Sequence, residues 1–330
     1  MNAIAGRLSP FTRSMLTAVA ILGLTLSGVR AEEFYRVQVL TVPTVTLTIE
    51  QFLTGDKNGK PNVVAGELRL PGIGTEKLPA VILVPGLGGA NSSHDRWARE
   101  LSRIGVAVFV LDSFAARSMF SMSDQVQLPA LAIMIDAYRA LALLAEHPRI
   151  DPARIAIMGF SYGTVAAVYS SSERFRKMYG PGTTQFAAHI GLYSLCNVTY
   201  HEDAITTGKP IRLFHGIVDD ANSIVPCRSY VERLKKAGAD VALKEFPDAE
   251  HSYDMVEFPN PTKLAQAPTG RNCWVEEAAV GQRVNTKTGK PFDTRDPCLE
   301  KGFTIGYNAA AYEATLQAVK QILRETFGLK

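Results

Sequence analysis

Apolar and polar positions alternate over residues 34–40, 44–50 and 63–70, as in Phe34-Tyr35-Arg36-Val37-Gln38-Val39 and Thr44-Val45-Thr46-Leu47-Thr48-Ile49. A period of two predicts strands with one solvated face, here an antiparallel opening to a sheet. The pattern then changes. Ala80-Val81-Ile82-Leu83-Val84 is apolar without a break, as expected of a strand covered on both faces. Val106–Leu111 and Arg154–Met158 read the same way, and further strands are expected near 186–193, 210–215 and 241–246. Helical spacing marks residues 95–104, 130–146, 162–172, 226–237 and 308–327, with Pro148 stopping the second. Alternation of this kind predicts an α/β fold, a doubly wound and mostly parallel sheet with antiparallel N-terminal strands.

One stretch has no periodicity. Residues 255–303 are rich in Pro, Gly, Thr and Asn. So long a loop is uncommon in a compact domain and tends to be functional. It is read either as a disulfide-fastened excursion near the site or as a plain surface insertion. Apart from it, one domain over residues 32–330 is expected, without repeats.

Residues 1–31 read as a signal peptide. Arg7 and Arg13 precede or flank an apolar run from Met15 through Leu26, and Val29-Arg30-Ala31 offers a cut after Ala31. The run is shorter than the ~20 apolar residues that span a bilayer, so no stable membrane anchor is expected. Secretion or release to the periplasm follows as an expectation. The segment holds three arginines and no acid, so the remainder carries 32 basic and 32 acidic residues. That balance gives no reason to expect nucleic acid or an anionic membrane as partner. It leaves the oligomeric state open.

An exported chain meets an oxidising compartment, and its four cysteines then predict two disulfides. The expected pairs are Cys196–Cys227 and Cys273–Cys298, each bracketing one local excursion. No C-x-x-C pair suggests zinc.

Gly159-Phe160-Ser161-Tyr162-Gly163 has the pattern G-x-S-x-G. Its place between a buried strand and a helix is that of a nucleophile elbow, where side chains at the glycine positions would collide. A serine hydroxyl needs a base. Of six histidines, His251 follows the last strand of the core pattern, the third place in the order serine, acid, histidine. The acid is expected after strand 210–215, in Gly216-Ile217-Val218-Asp219-Asp220; Asp219 is chosen and Asp220 is its rival. The oxyanion requires two N–H donors. Tyr162 supplies one, and the loop Val84-Pro85-Gly86-Leu87-Gly88-Gly89 the other, with Leu87 preferred over Gly86 or Gly88.

These segments, with Leu111-Asp112-Ser113-Phe114 followed by Arg117, make the chain resemble the dienelactone hydrolase family, particularly its exported, serine-containing relatives. The resemblance implies the α/β-hydrolase fold and hydrolysis of small-molecule esters or lactones through an acyl-enzyme, with no metal or other cofactor. The family's namesakes use a cysteine nucleophile where this chain has Ser161. Arg117 suits a substrate carboxylate as a fork donor, or else pairs with a nearby acid. Phe160 and Tyr162 either line the pocket or pack. A peptidase or acyltransferase of the same fold, or a non-catalytic binding protein on this scaffold, are the competing readings.

Overall fold

Alternation of apolar side chains between two faces explains the uninterrupted runs at the centre of the chain. A computed structural model describes residues 35–72 and 74–329; the expected signal peptide lies outside them. The chain opens with β1 (Tyr35–Thr46), α1 (Ile49–Thr54) and β2 (Lys60–Pro71), and β1 and β2 pair antiparallel from Tyr35↔Pro71 to Thr46↔Lys60. The two strands expected at 34–40 and 44–50 are thus one. It ends at Thr46 because Thr48 and Gln51 form a capping box that starts α1 at Ile49. Pro43 is tolerated in β1 because β1 is the edge of the sheet.

The core follows as β3 (Leu78–Val84), α2 (Ser92–Ser102), β4 (Ala107–Asp112), α3 (Met122–Gln125), α4 (Ala130–Glu146), β5 (Ile150–Phe160), α5 (Thr164–Tyr169), α6 (Glu173–Tyr179), β6 (His189–Leu192), β7 (Val198–Thr199), β8 (Ile211–Gly216), α7 (Ile224–Lys236) and β9 (Val241–Phe246). The excursion and C-terminus add β10 (Thr262–Thr269), β11 (Val275–Ala279), β12 (Gln282–Asn285), β13 (Glu300–Ile305) and α8 (Ala309–Phe327). The main sheet runs β1-β2-β4-β3-β5-β6-β8-β9, and it is parallel from β4 to β9. Ala80, Ile82 and Val84 join the core under α4, α5 and α7. Val81 and Leu83 join the core under α2 and α8. Strand β3 therefore buries both faces, and each apolar residue buried contributes roughly 1.5–3 kcal/mol.

The excursion is not the loop that its sequence suggests. Strands β10 and β13 pair antiparallel, and the β11–β12 hairpin joins β7 through Val275↔Val198. The ladders shift register between Leu264 and Pro268 and between Glu277 and Ala279, which breaks the period of two. Its fastening is polar. Arg174 on α6 grips buried Glu277 with two bonds (2.6 and 2.9 Å). Cys273–Cys298 closes it, and Cys196–Cys227 ties the end of β6 to α7, the pairs expected from the sequence. Among the described residues no helix is long and apolar enough to cross a membrane.

Two histidines are packed inside. His189 donates to the Ala167 carbonyl (2.9 Å), and His94 lies beside Asn91 (3.0 Å). Burial lowers both to about 4 from the ordinary 6.5. Between those values the unfolded chain binds protons that the folded chain refuses. Their stability contribution is therefore complete above about pH 6.5 and is lost as pH falls toward 4, at about 3 kcal/mol for each histidine. In urea unfolding, the midpoint of His189→Gln should fall less than the parent's between about pH 7.5 and about pH 5.

Candidate active site

Strand β5 ends at Phe160, and Ser161 takes a left-handed backbone conformation, φ 49°. Such a φ on a non-glycine residue costs about 1–3 kcal/mol and holds the hydroxyl clear of the chain. The glycines are required. A Cβ on Gly159 would come within 2.5 Å of the Gly163 carbonyl, and one on Gly163 would overlap the Val84 carbonyl.

His251 follows β9, and its backbone is pinned by the Gly306 N–H (3.2 Å). Its Nε2 lies 2.8 Å from the Ser161 hydroxyl and its Nδ1 2.8 Å from Asp219 Oδ2. Asp219 Oδ1 accepts the N–H groups of Ala221 (2.9 Å) and Asn222 (2.8 Å). Burial alone would raise the Asp219 pKa. The charge of His251 and bonds from His215 and His251 outweigh it, and hold the carboxyl well below its ordinary range. An ionised Asp219 fixes the proton on Nδ1 and leaves Nε2 to accept from the serine.

Asp220 points elsewhere. It accepts from Lys263 (2.9 Å) and from both the backbone and hydroxyl of Thr304, so it fastens β10 and β13 to the acid loop. His215 is buried near the end of β8. It also donates to Asn222 O (2.9 Å) and lies 3.5 Å from the same Asp219 oxygen.

The loop after β3 passes over the elbow. A Cβ on Gly86 would stand 2.9 Å from the Ser161 Cβ and 3.5 Å from the Tyr162 nitrogen. The Gly88 N–H donates to Gln125 Oε1 (2.6 Å), and the Gly89 N–H to Gly86 O (3.1 Å). Gly88 is therefore spent, and Leu87 and Tyr162 are cavity-lining neighbours of Ser161. Gln125 is buried, and its Nε2 donates to Met119 O (3.2 Å). No motif flags it; only the fold brings α3 to the loop.

Arg117 is not at the site. It makes two bonds to fully buried Asp136 (2.7 and 3.0 Å), one to Thr46 and one to Ser113 O. It thereby ties the end of β1 to α4, and it does not line the cavity. Phe160 does both things considered for it: it lines the cavity and packs edge-on against His94 (4.6 Å between ring centres). The Tyr162 phenol donates to Leu128 O (2.7 Å).

Sequence reasoning missed Tyr193 and Asp254. Tyr193, φ 39°, lays its ring edge-on against His251 (4.8 Å) and donates to Asp254 (2.9 Å). Asp254 is fully buried and also accepts from Trp97 (2.8 Å) and Ser93. The cavity above Ser161 measures about 520 Å³ and is mainly apolar; Leu264, Phe292, Leu299 and Phe303 of the excursion form part of its wall. Among the described residues no cluster of three or more His, Cys, Asp or Glu is arranged to hold a metal ion.

The sequence profile of the dienelactone hydrolase family matches residues 70–327. The chain belongs to the dienelactone hydrolase family. It is a hydrolase acting on esters. Among curated proteins there is no match. Solved structures share the α/β-hydrolase architecture. A dienelactone hydrolase-like promiscuous phosphotriesterase from metagenomic libraries is 16% identical, with a TM-score of 0.56 over 88% of this chain and 98% of its own. A carboxylesterase from Lactobacillus plantarum gives 16% and 0.56, covering 89% and 99%. An esterase from Thermogutta terrifontis gives 15% and 0.52, covering 87% and 92%. At such identity the likeness concerns the fold.

Asp219→Asn should lower kcat by roughly 10⁴, whereas Asp220→Asn, which loses a half-exposed ion pair, should stay within about threefold. Steady-state kinetics on one ester separate them. Gln125→Ala leaves the Gly88 N–H without its buried acceptor and frees the oxyanion loop. It should lower kcat roughly tenfold with little change in KM.

Proposed function

We propose that this family member is an exported serine carboxylesterase or lactonase that works through an acyl-enzyme. The observation that carries this reading is the pair of 2.8 Å contacts running from the Ser161 hydroxyl through His251 to ionised Asp219. Ser161 attacks the ester carbonyl as its proton passes to Nε2 of His251. The carbonyl oxygen becomes an oxyanion, met by the N–H groups of Leu87 and Tyr162. The imidazolium, held by Asp219, returns its proton to the departing alcohol and leaves an acyl-serine. Water, deprotonated by the same imidazole, then releases the acid. In a lactone the alcohol remains attached and departs in this second step.

Export is supported by the N-terminal pattern and by two disulfides, which persist in oxidising compartments. An apolar cavity walled in by the excursion suits a small ester better than an extended peptide. A binding protein would not need a strained serine within reach of a base.

A fluorophosphonate probe should label the parent at Ser161, and Ser161→Ala should lose both labelling and at least roughly 10⁴ of its turnover. Near-full ester hydrolysis by a folded Ser161→Ala would overturn the assignment.

A further inference from the structure

Polar side chains on the wall of the cavity above Ser161 turn their protons back into the protein. The Tyr162 phenol donates to Leu128 O (2.7 Å), Thr269 to Ala221 O (2.6 Å) and the Asn222 amide to Tyr193 O (2.8 Å). Tyr193 and Ser93 both donate to buried Asp254. All five line the cavity. Among the described residues the wall carries one carboxylate and one guanidinium, both from the excursion, and both are engaged. Asp293 is bonded to the backbone and side chain of Arg295 (2.7 and 2.8 Å), and the Arg283 guanidinium lies 5.1 Å over the Phe292 ring. The surface left facing the interior is mainly apolar, from Leu131 and Val165 of the core to Leu264 and Phe292 of the excursion.

An acyl-serine is released by whichever nucleophile reaches its carbonyl and gives its proton to His251. A water inside a protein is held by two to four polar partners. Here those partners reduce to His251 and the oxyanion donors. An alcohol uses the same groups for its hydroxyl. Its alkyl tail also gains by leaving water for the apolar wall, by about fourfold for each CH₂ buried. Acylation itself defines the place, because the reverse of alcohol departure is alcohol entry through the same contacts. At about 520 Å³ the cavity takes an acyl group and a medium-chain alcohol together.

We propose that the protein is also an acyltransferase in water, moving the acyl group of an ester to an apolar alcohol of medium length. This rests on the acyl-enzyme reading of Ser161, His251 and Asp219. The alcohol oxygen attacks the acyl carbonyl as its proton passes to Nε2 of His251. The oxyanion collapses, the bond from the carbonyl carbon to Ser161 Oγ breaks, and the imidazolium returns the proton to Oγ. A new ester leaves and the free serine is restored.

The test gives the full chain p-nitrophenyl butyrate in water, with ethanol, butanol or hexanol at equal millimolar concentration. Alkyl butyrate and butyrate are measured by gas chromatography. Both products come from one acyl-enzyme, so their ratio does not depend on how much enzyme is folded. The ester-to-acid ratio should rise about twofold or more for each CH₂ from ethanol to hexanol, and hexyl butyrate should reach about a tenth of the acyl groups released. Leu264→Asn and Phe292→Asn each put an amide on the wall, where it holds water and shortens the apolar surface. At least one of them should lower the hexanol ratio about fivefold or more. A ratio that does not rise with chain length, or that both variants leave unchanged, overturns the proposal and leaves the esterase reading standing. No release of p-nitrophenol by the parent, or undiminished hexyl butyrate from a folded Ser161→Ala, overturns both.

Discussion

Two adjacent carboxylates on the loop after β8 join the two parts of this molecule. Asp219 faces inward to His251 and Asp220 faces outward to Lys263 and Thr304. A loop that carries both cannot move one without the other. The backbone adds to this tie, since Thr269 donates to Ala221 O (2.6 Å) and Arg271 bonds to Asp220 O. The excursion therefore does more than wall the cavity. It buttresses the strand-end loop on which the orientation of His251 depends.

The parallel sheet makes this possible. Ser161, Asp219 and His251 follow the ends of β5, β8 and β9, which point the same way, so distant segments converge on one edge. Three non-glycine residues at that edge, Ser161, Tyr193 and Ser252, have positive φ. Strain there is held by the packed sheet below and by bonds above. Tyr193, for example, is fixed by its N–H to Phe214 O (2.8 Å), by Asn222 on its own carbonyl (2.8 Å), and by Asp254 on its phenol. The edge-on ring that results shields one side of His251 from water, which strengthens the imidazole's contact with Asp219.

The sheet was legible because burying both faces leaves an unbroken apolar run, and no polar residue obscures Ala80–Val84. The elbow was legible because its glycines answer a steric demand visible in five consecutive residues. For Arg117 the pairing with an acid was one of the two readings, but which acid was not legible, because Asp136 sits inside an apolar helix and sequence gives no sign of its bond to Arg117 or of the bond to Thr46. Gln125, Tyr193 and Asp254 were hidden for another reason. Each acts through a contact between segments far apart in the chain, and none stands in a local pattern. The strands of the excursion escaped because they are short, bulged and half-solvated, so alternation never persists long enough to register.

The excursion has little core of its own: Ala267, Phe303 and Ile305 bury together with Ala221, against Met122. Met122 begins α3, and Gln125 at the other end of that helix holds the Gly88 N–H. The same side chains that seat the excursion thus sit one helical turn from the clamp on the oxyanion loop. An element with weak internal packing can still be well ordered if every anchor is a group the site already needs. Here the anchors are the acid loop, the oxyanion clamp and the turn after β9 that carries His251, whose carbonyl meets Gly306 just beyond β13. Specificity can then reside in the excursion, through Phe292 or Leu299. Substitutions at those wall positions alter what the cavity accepts and leave untouched the sheet edge that holds the three reacting groups in register.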